Sequence, residues 1–181
     1  MTEETRTRDE ARAQRRARIA ELARQARYAA AVPEAARQVS AILGVELDAD
    51  DAVTKEAVDA ARRSVGVASR GHLVWHRIWG VRLYGEMLEA AGRLGDLLGD
   101  ERALLLWPQP EHPTVGLLVP LGPALNELPA WLHDDERFPG ADLVLLSELG
   151  ESGLVLEFNA HAHAEEYELH SWGRYARPVS A

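Results

Sequence analysis

The apolar residues of this chain change period at Gly99, and that change limits the possible fold more than any other feature. Before Gly99 they recur at helical spacing; after it they fall into short runs bracketed by Pro and Gly. Helices first and strands afterwards is the order of an α+β fold, not of alternating β-α-β units. Ala103–Trp107 and Thr114–Val119 read as two strands joined by the Pro-rich loop Pro108–Pro113. Pro123–Asp134 reads as a short amphipathic helix carrying Leu125, Leu128, Trp131 and Leu132, with Pro129 inside it. Asp142–Ser147, Leu154–Asn159 and Glu166–Trp172 read as three further strands. The expected body is thus a C-terminal antiparallel sheet of about five strands in the order β-β-α-β-β-β, packed against N-terminal helices.

The helical part carries its own punctuation. Residues 11–31 are built from Ala, Arg, Glu and Gln, all strong helix formers, with Ile19, Leu22, Ala23, Ala26 and Ala30 as a thin apolar stripe. Pro33 stands where a first helical residue would and Gly44 where a helix would stop, which predicts a short helix over 33–43. Asp48, Asp50 and Asp51 read as capping residues ahead of a helix over about 51–64. Over His72–Leu98 the residues Arg82, Glu86, Glu89, Arg93 and Asp96 share one narrow arc of a helical wheel, and nearly everything else is apolar. That pattern predicts one long, mostly buried helix, broken or closely approached at Gly80, Gly85, Gly92 and Gly95 and stopped at Gly99. The chain divides on this reading into an Arg/Ala-rich arm over 1–32, an α+β body over 33–173 and a loose tail over 174–181.

Charge follows position. Residues 1–40 hold nine Arg against six acids, and residues 41–181 hold eleven basic residues against twenty-three acids. A basic arm on an acidic body points to electrostatic encounters with partners and names no reaction. The 181 residues include no Cys, which excludes disulfides, thiolate metal sites and a cysteine nucleophile. Residues 1–18 lack the apolar core of a signal peptide, and no apolar run approaches the roughly 20 residues that span a bilayer, so a cytoplasmic location is expected.

Two His groupings carry the candidate chemistry. His161 and His163 stand at i, i+2, on one side of a strand, with Glu165 and Glu166 following and His170 beyond. The run resembles the opening of the His-x-His-x-Asp-His signature of metallo-β-lactamase-like hydrolases, with Glu166 in place of the final His. The resemblance covers those few residues and implies a divalent metal such as zinc at His161 and His163, and His170 is expected on the same wet face as a third ligand. His72 and His76 stand at helical i, i+4 spacing beside Trp75 and Trp79, a pattern that more often builds core or interface than a metal site. Gly-x-Ser-x-Gly, Gly-x-Gly-x-x-Gly and phosphate-loop patterns do not occur.

The acids alternate with apolar residues on at least two strands, so Glu157, Glu166 and Glu168 share one face of the sheet. With Asp134, Asp135 and Glu136 they form the expected encounter surface for a basic protein partner, and Trp172, Trp107 or Trp131, where exposed, would anchor it. The order of elements and the acidity resemble small α+β binding proteins such as secretion chaperones and toxin-immunity proteins. The expected function is a non-enzymatic protein-binding module that recruits a basic partner or self-associates through its arm into a homo-oligomer. Two alternatives accompany it: a small metal-dependent enzyme built on the His161/His163 cluster, and a nucleic-acid-associated protein that holds phosphates with Arg12, Arg15, Arg16, Arg24 and Arg27.

Overall fold

The computed structural model describes residues 3–68, 74–79, 84–99, 101–134, 136–138, 140–148, 150–161 and 164–176. Their architecture is α+β. In chain order the elements are α1 (Glu3–Leu43), a 3-10 turn (Ala49–Asp51), α2 (Lys55–Ala68), β1 (Val74–Trp79), α3 (Tyr84–Leu98), β2 (Arg102–Trp107), β3 (Val115–Pro120), α4 (Leu121–Asp134), β4 (Leu143–Leu146), β5 (Gly153–His161) and β6 (Ala164–Trp172), closed by a 3-10 turn over Gly173–Tyr175. From β2 onward this is the β-β-α-β-β-β order read from the sequence. The strands form one antiparallel sheet in the spatial order β1-β6-β5-β4-β2-β3.

The long helix expected over 72–98 is instead a strand followed by a shorter helix. Val74–Trp79 pairs along the free edge of β6, with Trp75 in register with His170 and Arg77 with Glu168. β-Branched and aromatic residues lose side-chain freedom in a helix and fit a pleated surface, and an unpaired β6 edge offers a full row of backbone partners. His76 therefore lies on a strand, so a helical i, i+4 pair with His72 does not form; His72 is outside the described residues. α3 keeps the predicted arc. Glu86, Glu89, Arg93 and Asp96 are exposed, while Met87, Ala90, Ala91, Leu94 and Gly95 are buried against α4. The two helices approach at glycines. A Cβ at Gly95 would stand 3.0 Å from the Gly122 carbonyl oxygen and 3.2 Å from the Leu125 Cβ. Gly99, at φ 63°, terminates α3.

A second correction concerns Pro33. α1 is one helix of 41 residues, about 60 Å long, that passes through Pro33 without a stop. Pro33 points to solvent, where water can satisfy the Ala29 carbonyl that loses its helical donor. The helix expected from residue 51 begins later. Asp48 and Asp51 close a capping box on the 3-10 turn, and the Thr54 hydroxyl then accepts from the Ala57 N–H at the start of α2.

The core lies between the sheet and the layer of α1, α3 and α4. It holds Leu105, Trp107, Leu117, Leu143, Leu145, Leu154 and Leu156 from strands, with Leu125, Leu128 and Leu132 from α4. α1 joins it with Tyr28, Ala31, Val32, Ala35, Ala36, Val39 and Leu43. Tyr28 fastens α1 to the sheet edge: its hydroxyl donates to the Val53 carbonyl at 2.7 Å and accepts from the Gly116 N–H at 3.2 Å. Val53 N–H in turn donates to the Gly116 carbonyl at 3.0 Å, so the outer edge of β3 is covered rather than open. α2 packs on the opposite face, over Leu104, Gly116 and Leu118.

Candidate protein-docking site

The residues expected to meet a partner separate into three places. Asp134 and Glu136 are exposed at the end of α4 and in the turn after it, and Asp135 between them is outside the described residues. Glu157 and the backbone positions of Glu166 and Glu168 share the α2-side face of β5 and β6, where Glu157 is in register with Glu168 and Asn159 with Glu166. Arg12, Arg15, Arg16, Arg24 and Arg27 are exposed along the first half of α1.

The sheet face is less open than the alternation implied. Trp172 is 9% exposed, and its ring lies over Gly153, where a Cβ would come within 2.2 Å. Val155 and His170 are also buried. Glu157 approaches the His170 Nε2 at 3.7 Å, and Asp142 lies one strand over. Burial pushes the Asp142 carboxyl up, and the Glu157 charge adds to it, although the residue keeps an exposed side. His161 is placed by backbone at the end of β5, His170 is buried on β6, and His163 is outside the described residues. Among the described residues no group of three or more His, Asp or Glu is arranged to hold a metal ion.

Of the three expected tryptophan anchors, Trp107 is fully buried, with its indole N–H donating to Gln38 at 3.2 Å, and Trp172 belongs to the core. Trp131 alone among them is half-buried. It stacks at an angle on Trp107 and Phe138, with ring centroids at 5.1 and 5.4 Å, so its inner face is fixed. Its outer part lines a groove of about 470 Å³ with Ile42, Glu127, Ala130 and Asp134. The Arg137 guanidinium sits 5.5 Å from the Trp131 ring centroid, so this ring already serves as a platform for a cation.

The groove follows from the local sequence. α4 starts without a connecting loop at Leu121, carries Pro123 in its first turn and tolerates the buried Pro129. Its inner face is Leu121, Ala124, Leu125, Leu128 and Leu132. Glu127, Ala130, Trp131 and Asp134 fall at i, i+3, i+4 and i+7, an apolar centre with a carboxylate one turn to either side. Ile42 completes the wall from the last turn of α1. Sequence reading found Asp134, Glu136 and Trp131 but missed Ile42, Glu127 and Ala130. The i, i+7 acids around Trp131 were a signal within α4, whereas Ile42 enters only through the tertiary packing of α1 on α4.

A second hollow, of about 500 Å³, lies between α2 and the sheet, lined by Val53, Ala57, Ala60, Ala61, Ser64, Leu104, Leu118, Ser147, Glu148 and Gly150. Its hydroxyls are engaged locally: Ser64 donates to the Ala61 carbonyl, and Ser147 accepts from the Ser152 N–H. No described helix is long and apolar enough to cross a membrane. Comparison with family models, curated proteins and solved structures returned no match to this chain.

Proposed function

We propose that the chain is a non-enzymatic protein-binding module whose α1/α4 groove receives a basic amphipathic helix. The observation that carries this reading is the composition of the groove: a half-buried Trp131 and apolar Ile42 and Ala130 between exposed Glu127 and Asp134. An aromatic anchor within an apolar strip, with a carboxylate one turn to either side and one guanidinium already over its ring, favours a helix with an apolar stripe and cations beside it. Exposed Glu136 follows in the turn after α4, beside the Arg137 that covers the Trp131 ring. Recognition of this kind requires no proton transfer or metal, and its strength lies in one buried ring and its rate in the surrounding charge.

A fluorescein-labelled peptide of Arg, Ala and Leu, with Leu at helical i, i+3, i+4, i+7 spacing, tests the reading by anisotropy against the full chain. Trp131→Ala should weaken binding about thirtyfold, the cost of about 2 kcal/mol typical of an aromatic anchor. Glu127→Lys with Asp134→Lys should weaken it further at low salt and flatten the salt dependence. Unchanged affinity in both variants would overturn the proposal.

A further inference from the structure

The first half of α1 presents an unpartnered face of its own. Ile19 and Leu22 are 58% and 57% exposed, and among the described residues Leu97 is the other large apolar side chain so exposed; Ile19 and Leu22 stand one turn apart and form a patch. They continue with Ala23, Ala26 and Ala30 as a stripe along solvent. On a wheel of about 100° per residue this stripe is centred about 175° from the face that α1 buries with Tyr28, Ala35 and Val39. The stripe therefore points away from the body that the same helix packs on. Arg15 and Arg16 stand one turn before Ile19, and Arg18 beside it, all exposed.

This is the chemistry the groove fits: two apolar side chains with guanidinium groups next to them. The arm cannot supply it to its own groove. Ile42, on the groove wall, is twenty residues beyond Leu22 on one continuous helix, a separation of about 30 Å that only breaking α1 would close. A second copy can supply it, and two copies can do so reciprocally. Resting on the groove reading above, we infer that the occupant is the α1 arm of a second copy, with Ile19 and Leu22 against Trp131 and Ile42, and Arg15 and Arg18 facing Glu127 and Asp134. Reciprocal exchange closes into a two-fold dimer, since each arm meets the same surface on the other chain. It also accounts for a long polar half-helix whose large apolar side chains, Ile19 and Leu22, are exposed on their own chain.

Sedimentation equilibrium of the full chain tests this. The expected result is a mass twice the 20.0 kDa of one chain. Leu22→Asp should give the monomer mass, with a melting temperature equal to that of the wild-type chain diluted below the dimer's dissociation concentration. Arg15→Glu with Arg18→Glu should weaken the dimer at least tenfold, and so should Glu127→Arg with Asp134→Arg. The four changes together should restore dimerisation, which no effect on folding alone would do. A wild-type chain that stays at monomer mass to about 100 μM while the labelled peptide still binds overturns the self-pairing and leaves the groove reading standing. A monomer that also ignores the peptide overturns both. A dimer that survives all of these substitutions overturns the arm-in-groove arrangement.

Discussion

The two halves of α1 are the same helix under different constraints. From Tyr28 to Leu43 the helix buries seven apolar residues and accepts hydrogen bonds from the sheet, Tyr28 from the Gly116 N–H and Gln38 from the Trp107 indole N–H. From residue 10 to residue 27 every residue but the half-buried Glu21 is exposed, and the described contacts are nearly all local: Arg24 to Glu21, Gln25 to Glu21 and Arg27 to the Ala23 carbonyl, with Gln25 reaching Glu56 of α2 at 3.3 Å. Backbone propensity is the higher in the first half, since the second carries Pro33, Val32, Val39 and Ile42, so propensity is not what fixes the second half. The difference lies in what each half contributes to the folded chain. Within one chain, packing holds the second half, whereas the first has its Ala and Arg content, the pairs on its surface and the reach of Gln25 to Glu56.

The sharpest way to break the comparison is to place a charge in each half. Ala35 is fully buried, and Ala35→Asp sets a carboxylate against the sheet without a partner. The expected loss is roughly 4 kcal/mol, a drop in melting temperature on the order of 10 °C for a chain of this size. Ala20→Asp, exposed in the first half, should leave thermal denaturation unchanged. Equal losses would show that the first half is packed after all. A gentler cut is Tyr28→Phe, which removes one hydroxyl from between the Val53 carbonyl and the Gly116 N–H. Leaving those two groups without their bond should cost about 2 kcal/mol in urea denaturation, with no change in the slope against denaturant.

The sequence exposed some of this contrast and hid the rest. Apolar runs and Pro brackets were enough for β2 to β6 and α4, because their period is local. The helical reading of 72–98 failed at Val74–Trp79, where six residues are too few to separate period two from 3.6 and the β6 edge decides. Pro33 read as a helix start because Pro favours that position, yet a solvent-facing Pro can be carried inside a helix that packs on both sides of it. The arm's apolar stripe was visible, but its phase against the buried stripe has meaning only once both belong to one helix. Of the groove, the α4 residues were within reach of the sequence and Ile42 was not.

The next prediction concerns the edge that the second half holds down. Asp51 sits beneath Arg102 in an ion pair and accepts from the Asp48 N–H at 3.1 Å. The hydrogen bond from Arg102 leads the effects that hold its carboxyl below the ordinary carboxylate value. A lowered folded pKa contributes stability above the unfolded value near 3.9, and that contribution disappears as pH falls through the folded one. Asp51→Asn should therefore cost about 1 kcal/mol at pH 7, kept small by the half-exposed Arg102. The difference between variant and wild type should shrink steadily below pH 4. A gap that is the same at pH 3 and pH 7 would remove the ion pair from the account.

The smallest expected effect is the most informative about the helix itself. Ala20 and Ala29 are both exposed, one in each half of α1, and neither lies at the centre of the apolar stripe. Glycine at an interior helical position costs about 1 kcal/mol relative to alanine, through backbone entropy and lost shielding. At Ala29, the helix is part of the cooperative unit, so Ala29→Gly should lower global stability by that amount. At Ala20 the same cost should be paid locally: amide exchange of residues ahead of position 20 should accelerate about fivefold while the melting temperature stays fixed. If Ala20→Gly lowers the melting temperature as much as Ala29→Gly does, the first half of α1 folds as one unit with the body, and the two halves differ in exposure alone.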